Sequence, residues 1–301
     1  MKKILTLALG VLSLVVLVAA LQGFAARYGV AILDPRGKIA SEQRDLLAFA
    51  FFLSLIVIVP VFVLTIFIVW RYRDGAKSRG RYAPDWSHNR TLETIWWGIP
   101  IAIITILGTI TWQTSHTLDP YRPIAGATAP LRVQVVALPW RWLFIYPGQE
   151  VASINSLAIP LDVPVEFNIT ADAPMNSFWV PQLGGQVYAM AGMTTKLHLQ
   201  ADQPGNYRGS SANISGEGFA DMDFTVKAQS PEEFSRWLDS ARNSGNNLDT
   251  AAYSQLSRPS RNSQEQLFVL AEPYLYDNII MKYMTPAEGL PTGHDEAAGH
   301  N

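Results

Sequence analysis

Three uncharged runs followed by a change of period divide this chain. Lys2 and Lys3 precede an apolar stretch, Ile4 to Leu21, that carries no charge. A second uncharged run, Leu46 to Trp70, is about 25 residues long, enough to cross a bilayer with some tilt. A third, Ile95 to Trp112, predicts another span. Pro60 and Pro100 fall inside these two runs, where a membrane helix tolerates proline if a neighbour covers the freed carbonyl. From Leu131 the period becomes two. Val133, Val135 and Ala137 alternate with Arg132, Gln134 and Val136, and Val165, Phe167 and Ile169 with Glu166, Asn168 and Thr170. Leu197 and Leu199 alternate with Lys196, His198 and Gln200, and Phe224 and Val226 close the set. Short strands separated by Pro, Gly and Asn turns predict an antiparallel sandwich or barrel. After Ser230 the pattern turns helical, with Pro231 at a first helical position. Glu232 to Arg242 and Leu267 to Met284 read as amphipathic helices joined by a polar linker over 243–262, and Pro273 breaks or kinks the second.

Composition and charge place these elements. The apolar residues gather in the first third, which predicts a membrane anchor followed by a soluble domain. The segment between the two spans carries Arg71, Arg73, Lys77, Arg79, Arg81 and Arg90 against Asp74, Asp85 and Glu93. By the positive-inside rule this segment is cytoplasmic, so the chain after Trp112 lies on the opposite, periplasmic side. Trp70, Trp96, Trp97 and Trp112 mark the span ends, where aromatic belts form. The expected divisions are a signal peptide or uncleaved membrane segment at 1–26, a transmembrane hairpin at 27–115 and a β domain at 116–230. A helical extension at 231–284 and a disordered tail at 285–301 follow. Net charge is −2, so there is no basic field for nucleic acid. The chain has no Cys, which excludes disulfides, thiolate metal sites and a lipidated cysteine.

The candidate chemistry concentrates between Met175 and Met222. This stretch opens with Met175-Asn176-Ser177-Phe178-Trp179-Val180-Pro181 and ends with Gly209-Ser210-Ser211-Ala212-Asn213-Ile214-Ser215-Gly216-Glu217-Gly218-Phe219-Ala220-Asp221-Met222. The second segment reads as a loop built to wrap something, yet it has neither thiolate nor imidazole, the donors a soft metal needs. The stretch resembles subunit II of the haem–copper respiratory oxidases. Members that oxidise cytochrome c carry a binuclear copper centre here. In them the first segment reads roughly His-Ser-Phe-Trp-Val-Pro and the loop Cys-Ser-Glu-x-Cys-Gly-x-x-His-x-x-Met. Laid on this chain, the ligand positions are Asn176, Ser211, Asn213, Ser215, Phe219 and Met222, and only Met222 keeps the family's residue. That pattern resembles the quinol oxidase branch, the cytochrome bo-type ubiquinol oxidases, whose loop holds no metal.

The resemblance implies a membrane-anchored, all-β fold. It consists of a two-helix transmembrane hairpin and a periplasmic cupredoxin-like Greek-key sandwich with C-terminal helices. It implies a structural subunit of a proton-pumping terminal quinol oxidase in the bacterial inner membrane, with no cofactor and no catalytic centre in this chain. Haems, copper and the quinol site would lie in a partner, subunit I, beside small membrane subunits III and IV and membrane lipid. Glu93 stands where the family has a glutamate at the entrance of a proton pathway of subunit I; it also reads as an ordinary helix-start acid, favourable at the positive end of the dipole. Trp140 and Trp142, in the run Trp140-Arg141-Trp142-Leu143-Phe144-Ile145-Tyr146-Pro147, read as aromatics packing the domain against subunit I. Asn176, Ser211, Asn213 and Ser215 are expected to form a hydrogen-bonded plug where metal would sit.

Two other functions remain on the residues alone. One is an electron-accepting subunit of a cytochrome c oxidase, which needs two bridging thiolates. The other is a membrane-tethered cupredoxin-like binding or assembly protein acting by itself. The five His residues, His88, His116, His198, His294 and His300, show no ligand spacing.

Overall fold

The computed structural model describes residues 30–73, 88–126, 128–261 and 264–284. The expected leader and tail, and Lys77, Arg79 and Arg81 of the basic segment, lie outside them. The described residues within 42–119 form one compact unit, and those within 30–41 and 120–284 form another.

The first unit is helical. Helix α1 runs Lys38–Tyr72 and α2 runs Arg90–Thr117, both longer than the uncharged runs inside them. Both are long and apolar enough to span a membrane. Neither Pro60 nor Pro100 ends its helix. Threonines along α2, at 94, 105, 109 and 114, return their hydroxyls to carbonyls one turn back, which hides their polarity from an apolar surround.

The second unit is a sandwich. Its strands are β1 Leu131–Leu138, β2 Arg141–Tyr146, β3 Val151–Ile154, β4 Ser156–Pro160, β5 Val165–Ala171 and β6 Asn176–Trp179. They continue with β7 Val187–Ala189, β8 Thr195–Leu199, β9 Gly205–Ser211, β10 Asp223–Gln229, β11 Asn247–Leu248 and β12 Gln266–Leu270. Among the described residues one sheet has the order β11-β12-β3-β2-β1-β5-β8 and the other β4-β10-β9-β6-β7. The expected antiparallel pairing is only partial: β1 with β5, β4 with β10 and β11 with β12 run parallel. Asn155 makes the corner where the chain leaves one sheet for the other, at φ 53°, a conformation asparagine tolerates better than most residues. Its carboxamide oxygen accepts Trp142 N at 2.8 Å, while its carbonyl accepts Thr225 N at 3.0 Å. One residue thus ties β2 to β10.

Between the sheets lies the main core. Trp142 is 0% exposed there, with ring centroids 5.5 Å from Phe178 and 5.7 Å from Phe224. It therefore cannot serve as a docking aromatic for a partner, because the sandwich has already enclosed it. Tyr146 bridges β2 to β4, donating to Ala158 O at 3.0 Å and accepting Ala158 N at 2.9 Å.

The larger sheet is buried on both faces, and this overturns three expectations. Val136, set on the alternate parity with Arg132 and Gln134, belongs to a second core with Leu138, Leu143, Ile145 and Ile154. His198, read on a polar parity, is buried and its Nδ1 lies 3.0 Å from Pro120 O. Leu267–Leu270, read as the start of a helix, is part of β12, which pairs antiparallel with β3. The edge of β3 offers free backbone groups, and Phe268 and Leu270 alternate inward, so period two wins before Pro273. The remaining cover consists of helix α4, Thr250–Leu256, inside the supposed linker, and α5, Leu275–Met281. Asp249 caps α4 by accepting Ala252 N at 2.8 Å. Helix α3, Pro231–Arg242, matches the expected helix after Ser230, whose hydroxyl and Glu233 close a capping box. It sends Phe234, Trp237 and Leu238 into the main core.

Residues ahead of α1 are stitched to this unit. Arg36 N donates to Gln182 O at 2.7 Å and Asp202 N to Arg36 O at 3.0 Å. Gly37 lies so close to Gln200 O that a β-carbon would overlap it. Gly209 in β9 is equally confined, since a β-carbon there would enter the Phe224 ring. Gly209→Ala is expected to destabilise the domain by about 1–3 kcal/mol through overpacking. A urea midpoint equal to the parent's would contradict this packing.

Candidate functional site

The loop between β9 and β10 is held at both ends by backbone. Ser211 N donates to Met222 O at 3.3 Å and Ala212 N to Ser177 O at 3.0 Å. The first bond closes the neck of the loop, and the second fastens it to β6. Within it, Gly216 takes φ +114°, a region L side chains avoid, and Phe219–Asp221 forms one 3-10 turn. Met222 then returns the chain to the core, where it is fully buried.

Asn176 and Ser211, 1% and 6% exposed, meet in the interior. Asn176 Nδ2 donates to Pro174 O at 2.7 Å, which turns its Oδ1 towards Ser211. The Ser211 hydroxyl lies 3.0 Å from that Oδ1 and 3.2 Å from Asn213 O. It has one hydrogen, so it serves the two acceptors in turn. Asn213 Nδ2 reaches across to Met175 O at 2.8 Å. Beside them Ser177 Oγ donates to Gln186 Oε1 at 3.0 Å. Three of the four expected plug residues therefore come together. Ser215 does not join them: its buried Oγ has no partner among the described residues, and its carbonyl accepts Trp140 Nε1 at 3.3 Å.

Trp140 is the other support. It sits at φ 64° in the turn joining β1 to β2, and its ring lies against Gly216 and Gly218. A β-carbon on Gly218 would overlap the indole, so the loop needs glycine at that point. Arg261 covers the ring with its guanidinium carbon 5.9 Å from the centroid and pairs with Glu217 at 2.6 Å. The indole is thus gripped by the loop of its own domain. Nothing in the residue order of the loop flags Arg261, which arrives from the C-terminal extension.

The donors present do not fit a soft metal. Two carboxamides, two hydroxyls, a phenyl ring and one thioether occupy the six positions, without the thiolate bridges and imidazoles such a centre requires. Among the described residues no three His, Cys, Asp or Glu side chains come together as a metal group. Phe219 is only partly buried and lies in the 3-10 turn.

Glu93 lies in the first turn of α2. Its Oε1 is 2.6 Å from His88 Nδ1 and 3.3 Å from Asn89 N, while Asn89 Oδ1 accepts Leu92 N at 3.1 Å. His88 and Glu93 are 64% and 47% exposed, so the pair opens to its surroundings. The residue reading missed His88; its signal was a titratable ring one residue ahead of the capping asparagine.

Residues 138–229 match the family described as cytochrome c oxidase subunit II, periplasmic domain. Residues 242–287 match the COX aromatic rich motif. The cytochrome bo(3) ubiquinol oxidase subunit 2 of Pseudomonas putida is 46% identical over 88% of this chain and 84% of its own length. The chain belongs to the ubiquinol oxidase subunit 2 family. Within this family, the ubiquinol oxidase subunit 2 of Acetobacter aceti is 46% identical over 84% of this chain and 82% of its own length. The periplasmic domain of cytochrome oxidase subunit II from Bradyrhizobium japonicum is 18% identical, with a TM-score of 0.37, covering 40% of this chain and 98% of that one. This member of the subunit 2 family is membrane-anchored, with a cupredoxin-like periplasmic domain and two apolar helices ahead of it.

If the Ser211 hydroxyl organises the loop, removing it leaves Asn176 Oδ1 and Ser177 N buried without that partner. Ser211→Ala is expected to cost about 1–3 kcal/mol of domain stability. Unfolding that is unaltered in urea would show the hydroxyl to be idle.

Proposed function

We propose that this chain is the structural second subunit of a proton-pumping terminal quinol oxidase, in which electrons pass from ubiquinol to oxygen entirely within subunit I. The observation that carries this reading is the donor set on β6 and the loop ahead of Met222. The family's frame is present, and the residues in the ligand positions are Asn176, Ser211, Asn213, Ser215 and Phe219. A donor that arrives through the membrane needs no periplasmic copper relay. Haems and copper belong to subunit I in this reading. Subunits III and IV, bilayer lipid and the inner membrane complete the surroundings.

The domain's task is then mechanical. It covers the periplasmic face of its partner, while α1 and α2 pack beside it. Trp140, with its ring already gripped by Gly216, Gly218 and Arg261, keeps the loop in one shape for that contact. Glu93 is the chain's contribution to chemistry: a carboxylate at the cytoplasmic end of α2, able to collect protons for the pathway in subunit I. His88 at 2.6 Å and the Asn89 amide hold it at the helix start.

Purification through a C-terminal tag from gently solubilised membranes tests the assignment. Oxygen uptake with a quinol and none with reduced cytochrome c is expected. Uptake driven by cytochrome c would place an electron acceptor where this reading has none. For Glu93→Ala, turnover is expected to fall several-fold with haem content unchanged. Parent turnover in an assembled Glu93→Ala complex would remove the proton role and leave the acid a helix cap.

A further inference from the structure

Asp172, just past the end of β5, is a carboxylate that neither the loop nor the membrane helices use. Its side chain is 2% exposed. Three donors converge on it. Tyr253 Oη of α4 reaches Oδ2 at 2.6 Å, while Lys282 Nζ and Tyr283 Oη reach Oδ1 at 2.7 and 2.5 Å. Its backbone N–H is spent on Ala137 O at 2.9 Å. Between these donors, α5 lays Leu275, Tyr276 and Ile279 on the second core, and Tyr276 Oη meets Thr194 Oγ1 at 3.2 Å. Among the described residues the backbone of α5 joins neither sheet, and side chains hold it down.

We propose that residues 273–284 form a strap closed over the outer face of the larger sheet, and that Asp172 is its latch. Ionised, the carboxylate ties the far end of the strap, Lys282 and Tyr283, to the near helix through Tyr253. Neutralised, it loses its ammonium partner and keeps at most part of the phenol bonds. The strap then lifts at its Lys282–Tyr283 end and bares the second core beneath Leu275 and Ile279. Burial pushes the Asp172 carboxyl up, but the bonds from Lys282, Tyr253 and Tyr283 outweigh it and hold the group below the usual carboxylate range. The Tyr283 phenol, desolvated and facing the carboxylate, is pushed up to about 12 and stays a donor. A depressed acid contributes its stability above the unfolded value and loses it as pH falls through the folded one. The latch is therefore closed at neutral pH and opens as pH falls below the usual carboxylate range.

Hydrogen exchange on the purified full-length chain in its native assembly reads this directly. In Asp172→Asn the peptides covering 274–284 are expected to exchange about tenfold faster or more, as loss of charged hydrogen bonds implies, with β9 and β10 unchanged. Lys282→Met, at the exposed end, is expected to act in the same direction and to add little on top of Asp172→Asn. Unchanged protection of 274–284 in Asp172→Asn overturns the latch. Protection lost across β9 and β10 as well makes Asp172 part of the sandwich and overturns the strap. Full additivity of the two substitutions overturns the pairing.

Discussion

One hydroxyl and one indole shape the loop between β9 and β10. The Ser211 hydroxyl lies between Asn176 on β6 and the Asn213 carbonyl inside the loop, so it joins the loop to the neighbouring strand from within. Trp140 supports the loop from outside, filling the space that Gly216 and Gly218 leave open. A buried polar group without a partner costs as much as a lost hydrogen bond, so such a loop keeps its course only if its amides and hydroxyls answer one another. Here most do. Ser215 Oγ is the exception in this loop, a buried hydroxyl with no partner among the described residues.

The rest of the domain follows from keeping β6, β9 and β10 in register around that loop. Asn155 ties β2 to β10 across the corner, and the Trp142, Phe178 and Phe224 rings fill the space behind. The larger sheet carries a second apolar face, which would be exposed were it not for β12, α4 and α5. The C-terminal extension is therefore a wall of the domain, not an appendage. It also supplies Arg261 to the Trp140 ring, linking cover and loop.

Much of this was legible in the residues. Two long uncharged runs marked α1 and α2, because lipid leaves a helix no alternative. Alternation marked β1, β5, β8 and β10, where one face meets the core. It failed where both faces are buried: Val136 and His198 sit at polar parity but beneath a cover that no local pattern announces. Leu267–Leu270 looked helical because a short apolar run carries both periods, and the free edge of β3 decided between them. At the site, Asn176, Ser211 and Asn213 were legible as a cluster from the family's frame. Arg261 and Asp172 were not, since each acts through partners distant in sequence. His88 was passed over although its partner Glu93 lies just beyond it at the start of α2. Trp142 was misplaced because an aromatic run says that rings are buried, not whether a core or a partner buries them.

The loop over 211–222 owes its order to protein groups alone. Hydrogen exchange of the Ser211, Ala212 and Met222 amides, followed in chelator-treated protein with and without added copper, tests it most directly. Slow exchange at all three is expected without metal, unaltered when copper is supplied. Free exchange without metal that slows on addition of copper would contradict it.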